Sequence, residues 1–426
     1  MHSVSVYSTI PFILMLLSIA VLPLVAEKFW ENNKNKLIVS VILSIPVIFY
    51  LILNQLSEHI IHTMFFDYVP FLILLGSLFI ITGGIHISGN LVAKPLTNTI
   101  FLGIGAILAS FMGTTGAAML LIRPLINTNK ERKNKSHIIL FFIAIVANCG
   151  GLLTPLGDPP LFMMYLRGAS FFWFFKLFPE WLLANFILLT IFYFVDKHYY
   201  KQESEISISN DIKHEKNISI TGKINFLFLA GVVLSIAFIN PAYFPIMHEN
   251  HWYTYLREIF LVLFSLLSLK YTKKTVRNLN HFSWHPIEEV AYLFLGIFFT
   301  MIPCLIYLNT HAANLGIQTP TLFYFITGLL SSFLDNTPTA VTFYELAKGL
   351  PQSGNLVAGI NETLMKAIST GAVFFGSMTY IGNGPNFLVK TIAEHYHIKM
   401  PNFFEYMYKF SLLILLPLFI LISFIL

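Results

Sequence analysis

Charge and cysteine are both scarce in this chain. Only 11% of its 426 residues are Asp, Glu, Lys or Arg, whereas a soluble globular domain has about 25%. The two cysteines, Cys149 and Cys304, lie in apolar stretches and give neither metal-ligand spacing nor a disulfide framework. The composition therefore excludes an ordinary soluble domain and any site or scaffold built on cysteine.

Three other features are missing from the sequence. Basic residues do not alternate with stacking aromatics and the net charge is only +5, so nothing indicates a nucleic-acid partner. No nucleotide-binding motif is present, which argues against a primary pump. The first apolar run, residues 10–26, lacks the basic start of a secretory signal, so we interpret it as a first transmembrane span.

Long apolar segments dominate what is present. The chain is 56% hydrophobic, with a mean hydropathy of +0.71. A membrane span needs about 20 mostly apolar residues. The segments that qualify are residues 10–26, 37–53, 69–87, 136–166, 181–195, 224–246, 252–269, 290–308, 364–389 and 402–426. The sequence thus predicts an all-α polytopic membrane protein.

Two further apolar stretches are interrupted at their centres. Residues 99–126 contain MGTTG at Met112–Gly116, and residues 320–347 contain LDNTP at Leu334–Pro338. Each arm is then about 12 residues long, or about 18 Å of helix, which is too short for a hydrocarbon core of about 30 Å. We therefore predict two re-entrant hairpins, each of which enters and leaves at one face of the membrane.

The distribution of Lys and Arg supports this topology. With an outside N-terminus and two re-entrant hairpins, 19 of the 26 basic residues fall on the inner loops, where such residues collect in membrane proteins. If either hairpin crossed the membrane, the bias would be divided between the two sides. We predict a multi-pass protein of the cell (inner) membrane with both termini outside.

The interrupted segments recur along the chain at nearly constant offsets. Residues 107–121 and 329–343 share five of 15 positions at an offset of 222, and residues 151–161 and 376–386 share four of 11 at an offset of 225. Each half then has five spans and one hairpin, and because five is odd, the two halves must point in opposite directions. The predicted inverted repeat has a first half at 1–198, a cytoplasmic linker at 199–223 and a second half at 224–426, with broken helices at about 136–166 and 364–389.

The interruptions are the candidate functional site. Irregular backbone survives at membrane depth only where protein or a water-filled cavity covers it, and matched breaks in two inverted halves point to a transporter's binding site. Burial favours the protonated form of a carboxylate and a bound cation favours the ionised form, so Asp158 and Asp335 could exchange H⁺ for Na⁺, with Asn336 as a further Na⁺ ligand. The candidate ion- and substrate-binding residues are Gly113, Thr114, Thr115, Thr154, Gly157, Asp158, Asp335, Asn336, Thr337, Thr379, Gly382, Asn383 and Asn386.

Other interpretations of the same residues stay open. Asp335 and Asp158 could each cap the helix that follows, since Asp is favoured at that position. The Gly and Pro residues at the breaks could produce a structural kink and nothing else. Arg123 and Glu345 occupy equivalent positions in the two halves, and they could anchor at an interface, pair locally or contact the substrate.

Three motifs give the chain a family resemblance. LTPLGDPP at Leu153–Pro160 resembles the helix-break motif of arsenite permeases and, more loosely, of dicarboxylate carriers. SSFLDNTPTA at Ser331–Ala340 is similar to the Asp-Asn-hydrophobic-Pro motif of NhaD-type sodium/proton antiporters. MTYIGNGPNFLVK at Met378–Lys390 resembles a branch whose members are described as sodium/proton antiporters or as citrate transporters. Over both halves, the chain resembles the ion transporter superfamily, which also includes citrate–metal symporters.

The resemblance implies a scaffold domain that dimerises and a transport domain that moves like an elevator. It also implies ion sites at hairpin tips and helix breaks, here Gly113, Thr114, Thr115, Asp158, Asp335, Asn336, Thr337, Gly382 and Asn383. The tips depart from the Ser-Asn-Thr of dicarboxylate carriers, because they read Gly-Thr-Thr and Asp-Asn-Thr. A fixed negative charge at the second tip weighs against binding of a carboxylate.

The leading functional hypothesis from sequence is a secondary sodium/proton antiporter without a cofactor, because two mid-membrane acids have no paired base there. The alternative is a cation-coupled carrier of citrate or another di- or tricarboxylate, with Asn386 and half-helix N-termini binding the anion; arsenite export ranks third. An intramembrane aspartyl protease needs two facing acids, but Asp158 and Asp335 are not equivalent in the repeat, so we expect no enzyme. The expected partners are a small ion or organic anion, the lipid bilayer and a second copy in a homodimer.

Overall fold

The computed structural model describes residues 4–426, without the side chains of Leu24, Glu27 and His248, and this part of the chain is mainly helical. Nine of its helices are long and apolar enough to cross a bilayer. The protein is therefore an all-α polytopic membrane protein. The first three residues, and with them the predicted location of the N-terminus, lie outside the described residues.

The first half consists of long helices followed by a hairpin, an interrupted helix and a last long helix. The helical elements are Val6–Thr9, Ile10–Val25, Glu27–Trp30, Asn33–Leu53, Ser57–His62, Thr63–Tyr68, Val69–Thr82, Pro95–Met112, Thr114–Thr128, Ser136–Ile145, Cys149–Leu153, Pro159–Leu166, Phe171–Leu177 and Phe178–Tyr200. Ser57–Thr82 forms one continuous span, which starts earlier than the predicted 69–87 because the polar residues in its first turns hide it from a hydropathy count.

The second half repeats this order after a short linker. Its helical elements are Ile224–Phe238, Ile246–Glu249, His251–Thr254, Tyr255–Tyr271, Lys274–Leu279, His285–His311, Ala312–Leu315, Pro320–Ser331, Asn336–Lys348, Glu362–Phe375, Gly376–Met378, Gly384–His395, Phe403–Tyr406, Met407–Leu415 and Leu416–Ile422. In each half, three apolar helices precede the hairpin, of which the 15-residue Ile224–Phe238 is the shortest. An interrupted helix and a last long helix follow the hairpin. The predicted repeat of element order is therefore present.

Hairpin 1 consists of Pro95–Met112 and Thr114–Thr128, joined at Gly113. The first arm has 18 residues, about 27 Å of helix, so the prediction of an arm too short to cross the membrane was wrong for this arm. The segment is re-entrant because its base is closed: the carboxamides of Asn98 and Asn129 donate to each other at 2.9 Å. Both arms therefore end at the same face.

Hairpin 2 consists of Pro320–Ser331 and Asn336–Lys348, with arms of 12 and 13 residues. These lengths agree with the sequence-based prediction. The amide of Asn309, at the end of the helix that leads into the hairpin, donates to the carbonyl oxygen of Glu345 at 3.3 Å. The second arm thus returns to the face from which the first arm starts.

The two hairpins enter from opposite ends of the molecule. The interrupted helix of the first half starts beside the base of hairpin 1, where His137 Nε2 lies 2.8 Å from Asp196 Oδ1 and Asn98 donates to the same carboxylate at 3.0 Å. It ends beside hairpin 2, where Arg167 Nε lies 3.8 Å from Glu345 Oε1. We call the end with the base of hairpin 1 the linker face and the other end the opposite face.

The linker between the halves is folded onto the first half. It contains the helix Glu205–Lys213 and the strand Lys216–Thr221, which pairs antiparallel with His86–Asn90. Asp211 Oδ2 accepts a hydrogen bond from the backbone N–H of Ala93 at 2.7 Å. A second small sheet, Leu356–Val357 with Ile360–Asn361, lies after hairpin 2.

The interrupted helix of the first half forms the centre of the molecule. Its span Ser136–Leu153 is 89% buried, whereas the other eight candidate spans of the described residues are 17% to 56% buried. Such a segment has no lipid-facing side, so the breaks that follow it can expose polar backbone without meeting hydrocarbon.

Candidate functional site

Asp158 lies at the centre of the candidate site and is only 1% exposed. It directly precedes the helix Pro159–Leu166, yet its side chain makes no capping bond to that helix. Oδ1 accepts hydrogen bonds from Thr114 Oγ1 at 2.8 Å and from Asn383 Nδ2 at 3.2 Å, and Oδ2 accepts one from Asn336 Nδ2 at 2.8 Å. Three neutral donors therefore surround one buried carboxylate.

The donors come from three different interruptions of the chain. Thr114 begins the second arm of hairpin 1, Asn336 begins that of hairpin 2, and Asn383 precedes the helix Gly384–His395. We call residues 146–158 break 1 and residues 376–383 break 2. Both hairpin tips and both breaks thus meet at Asp158, as the pattern of interruptions in the sequence predicted.

Matching hydrogen bonds hold each break against its own hairpin. Thr154 Oγ1 donates to the carbonyl oxygen of Ser110, and Thr379 Oγ1 donates to that of Ser332. The Ser110 hydroxyl in turn donates to the Gly150 carbonyl oxygen at 2.5 Å. Each half therefore builds its unwound segment with the same threonine, which supports the close packing of break against hairpin.

Glycine is required where the breaks fold back on themselves. A Cβ on Gly157 would overlap the carbonyl oxygen of Gly151, and a Cβ on Gly382 would lie 2.6 Å from the carbonyl oxygen of Gly376. Gly113 joins the arms of hairpin 1 with a φ of 80°, a conformation that glycine adopts at little cost. These three predicted residues therefore shape the site through their backbone.

Asp335 occupies a different position from Asp158. Its Oδ1 accepts from the backbone N–H of Thr337 at 3.0 Å, which makes it the N-cap of the second arm of hairpin 2. The residue is half-buried, and in residues 4–426 its carboxylate has no hydrogen bond to Asp158. The capping interpretation left open by the sequence is the one that this geometry supports, and the two acids do not form a facing dyad.

The remaining predicted residues divide between the breaks and their surroundings. Asn386 Nδ2 donates to the carbonyl oxygens of Gly376 and Thr379 at 2.8 and 2.9 Å, so it stabilises the unwound backbone of break 2. Thr115 lines a cavity beside Asp158. Thr337 is buried, and its hydroxyl has no hydrogen-bond partner among the described residues.

Sequence reasoning missed Asn148, which is fully buried in break 1. Its Nδ2 donates to Asn386 Oδ1 at 2.7 Å, and its Oδ1 accepts from Asn383 Nδ2 at 3.1 Å. This amide therefore links the two breaks directly. The available signal was a lone Asn in the apolar run, two residues before the Gly150-Gly151 pair, where a buried amide needs partners.

A cavity lies beside the tip of hairpin 1 and extends towards the linker face. It separates the tip and break 1 from the spans Ser57–Thr82 and His285–His311. The lining residues are Leu75, Leu78, Phe79, Met112, Gly113, Thr114, Thr115, Gly116, Leu156, Gly157, Pro159, Pro286, Ile287 and Val290. None of these side chains is charged, so the polar groups that face the cavity belong to the hairpin tip and the break.

A charged cluster closes the same boundary at the opposite face. Arg167 lies 3.5 Å from Asp67 on the span Ser57–Thr82 and 3.8 Å from Glu345 on hairpin 2. The guanidinium also lies 5.5 Å from the ring of Tyr344. Glu345 therefore pairs locally, one of the roles left open for it. Its counterpart Arg123 lies beside the Tyr396 hydroxyl.

The comparisons with known proteins agree with this architecture. The model of a family described as "Putative citrate transport" (CitMHS_2) matches residues 1–426, the whole chain. No curated protein matches it.

Proposed function

Because this chain belongs to the citrate transport family whose model matches it from end to end, we propose that it is a secondary transporter that moves citrate or a related di- or tricarboxylate together with a cation. This proposal is the alternative that the sequence left open, and the family match supports it over the leading hypothesis of sodium/proton antiport. Membership in a transporter family also agrees with the expectation of no enzyme activity.

The single observation that supports coupling to a cation is the environment of Asp158. An ionised carboxylate that is 1% exposed carries a large desolvation penalty unless a charge compensates it. Its hydrogen-bond donors, Thr114, Asn336 and Asn383, are all neutral. A proton or a Na⁺ bound at Asp158 would supply the missing charge, and the nearby threonine and amide oxygens suit a hard cation.

The helices that start around Asp158 supply the attraction for an anion. Four helices begin at the two tips and two breaks: Thr114–Thr128, Pro159–Leu166, Asn336–Lys348 and Gly384–His395. The N-terminal end of a helix is positive and attracts carboxylates, although Pro159 and Pro160 supply no N–H group. An anionic substrate beside Asp158 becomes favourable once a cation neutralises that carboxylate, and this mutual dependence is the proposed basis of coupling.

Sodium/proton antiport is the second candidate, and a specific observation favours it. None of the residues that line the cavity in the described chain is Lys or Arg, and none of the groups bonded to Asp158 is basic. A site that binds only a cation needs no such residue. The exchange of H⁺ for Na⁺ at Asp158 would then be the whole reaction.

We further propose the arrangement of the protein in its membrane. The linker face would lie in the cytoplasm of the cell membrane, which agrees with the distribution of Lys and Arg. The hairpins and interrupted helices would form the moving domain, the outer spans would form the scaffold, and two chains would assemble as a homodimer. The halves would be residues 1–198 and 224–426, with the linker between them.

Flux measurements on purified protein in liposomes test these proposals together. We expect uptake of radiolabelled citrate that needs an inward Na⁺ or H⁺ gradient and disappears in Asp158→Asn, with empty liposomes as the control. A pH-sensitive dye in the same vesicles would report proton movement on addition of Na⁺. Na⁺-driven proton efflux without citrate uptake would assign antiport instead, and the absence of both would contradict both proposals.

A further inference from the structure

The two halves build the same pocket twice but place a carboxylate in only one. We infer that each chain has a single site for a charge-compensating monovalent cation, at Asp158, and that amides of the protein fill the equivalent position in the second half. The inference rests on the proposed function in one respect, namely that the coupled ion binds at the breaks. It concerns the number of cations, which neither the family match nor the fold assigns.

The backbone shows how closely the two pockets correspond. Thr154 has φ −143° and ψ 161°, and Thr379 has φ −141° and ψ 167°. Asp158 has φ −142° and ψ 143°, and Asn383 has φ −144° and ψ 139°. The threonine hydroxyls also accept matching bonds, from Leu156 N–H at 3.1 Å and from Ile381 N–H at 3.2 Å. Two side chains at the same backbone position can therefore be compared directly.

The decisive difference is Asp158 in the first half against Asn383 in the second. The Asn383 amide is neutral, and its nitrogen lies within hydrogen-bond distance of three acceptors: the Ala147 carbonyl oxygen at 3.2 Å, Asn148 Oδ1 at 3.1 Å and Asp158 Oδ1 at 3.2 Å. Burial of such a group needs hydrogen-bond partners but no counter-ion. The second pocket therefore has no charge for a cation to neutralise.

The hairpin tips differ in a way that closes the second pocket. Thr114 in hairpin 1 corresponds to Asn336 in hairpin 2, but Asn336 reaches across to Asp158 in the other half rather than to Asn383. Its Oδ1 accepts from Ser331 Oγ at 2.6 Å. At the offset of 222, Ser331 corresponds to Ala109, so hairpin 1 has no hydroxyl in the equivalent position. Both polar groups of Asn336 are thus already engaged.

The other nearby acid does not supply a second site. Asp335 corresponds to Gly113, its carboxylate bonds to Thr337 N–H at 3.0 Å, and the residue is half-buried. Water and the helix N-terminus can therefore stabilise its charge. Of these two acids, Asp158 is the one that is fully buried and whose hydrogen-bond donors are all neutral side chains, so a single carboxylate here requires a single monovalent cation.

Equilibrium binding of ²²Na⁺ to the purified full-length protein at alkaline pH, where protons compete least, counts the sites. We expect one Na⁺ per chain for the wild type, one for Asp335→Asn and none for Asp158→Asn. Asn383→Asp would place two carboxylates about 3 Å apart (the Asn383 nitrogen is 3.2 Å from Asp158 Oδ1), and two such groups cannot both stay ionised. That variant is therefore expected to take up one additional cation, as a second Na⁺ or as a retained proton measured by pH titration.

Two or more Na⁺ per wild-type chain, no Na⁺ at all, or loss of binding in Asp335→Asn with retention in Asp158→Asn would each overturn the inference. A monodisperse gel-filtration peak establishes that a variant is folded. If Asn383→Asp fails to fold, the number of bound Na⁺ is decided by three separate proteins: the wild type, Asp335→Asn and Asp158→Asn. The readout needs no citrate. Failure of citrate uptake would therefore not affect the inferred number of Na⁺ per chain. A different number of bound Na⁺ would likewise not contradict the proposal of citrate uptake.

Discussion

Two aspartates in this chain show how position decides the role of a side chain. Asp158 has no helix-capping bond and accepts from three side chains of other segments, whereas Asp335 bonds to the backbone two residues further on. The sequence supplied both as candidates for the same role. It could not separate them, because residue spacing shows where a helix is interrupted but not which way the side chain at the interruption points.

At the residue scale, Gly382 in break 2 and Gly384 at the start of the following helix provide a matched pair for mutation. A Cβ on Gly382 would lie 2.6 to 2.9 Å from three carbonyl oxygens, whereas a Cβ on Gly384 meets nothing within 4 Å. We expect Gly382→Ala to lower the melting temperature and abolish transport, because backbone rather than a flexible side chain would have to move. Gly384→Ala should keep or slightly raise stability, since Ala is the better helix former. Thermal unfolding in detergent and the flux assay check both, and equal behaviour of the two variants would contradict the close approach.

The hairpins could be predicted from the sequence where helix-breaking residues interrupt an apolar run. Predictions based on the length of a segment were less accurate. MGTTG and LDNTP located both hairpin tips, yet the arm Pro95–Met112 proved long enough to cross a bilayer. What makes hairpin 1 re-entrant is a polar base, and the partners of that base are distant in sequence: Asn98, Asn129 and Asp196. A linear sequence gives no direct sign of such contacts, and for the same reason Asn148 was missed.

The base of hairpin 1 predicts a large loss of stability from one mutation. Asp196 is fully buried and accepts from Arg132 Nη2 at 2.6 Å, and His137 Nε2 lies 2.8 Å from it. Asp196→Asn would leave the buried guanidinium with Glu203, 3.6 Å away, as its remaining acidic partner, and we expect a cost of about 3 kcal/mol. The control is Glu394→Gln, which breaks the exposed pair with Lys390 and should cost at most about 1 kcal/mol. Similar melting temperatures for the two variants would show that the base does not hold the hairpin.

At the scale of the whole molecule, the boundary between the central helices and the outer spans is open at one end and closed at the other. The cavity beside Thr115 extends towards the linker face, while Arg167, Asp67 and Glu345 meet across the same boundary at the opposite face. The opposed directions of the two halves, which the sequence predicted from an odd number of spans, place the two hairpins at these two ends. We therefore expect the site to be reached from the linker face in this state.

Thiol labelling tests this asymmetry. In a chain with Cys149 and Cys304 replaced by Ala, we expect Thr115→Cys to react with a membrane-impermeant maleimide from the linker side, because Thr115 lines the cavity. Ala117→Cys, on the same arm but fully buried, should stay unlabelled. Adding Arg167→Gln should lower labelling of Thr115→Cys, because loss of the cluster favours opening at the opposite face. Equal labelling from both sides would contradict the assignment of the open end.

We expect the strand pair between Lys216–Thr221 and His86–Asn90 to keep the two halves together even when their covalent connection is cut. The Asp211 carboxylate also accepts a hydrogen bond from the Ala93 N–H. After a protease cut between Lys201 and Ser204, these backbone and side-chain hydrogen bonds would still connect the downstream fragment to the upstream one. Two separately expressed halves would thus associate through this strand pair. We expect a large sliding movement during a transport cycle to leave this strand pair intact.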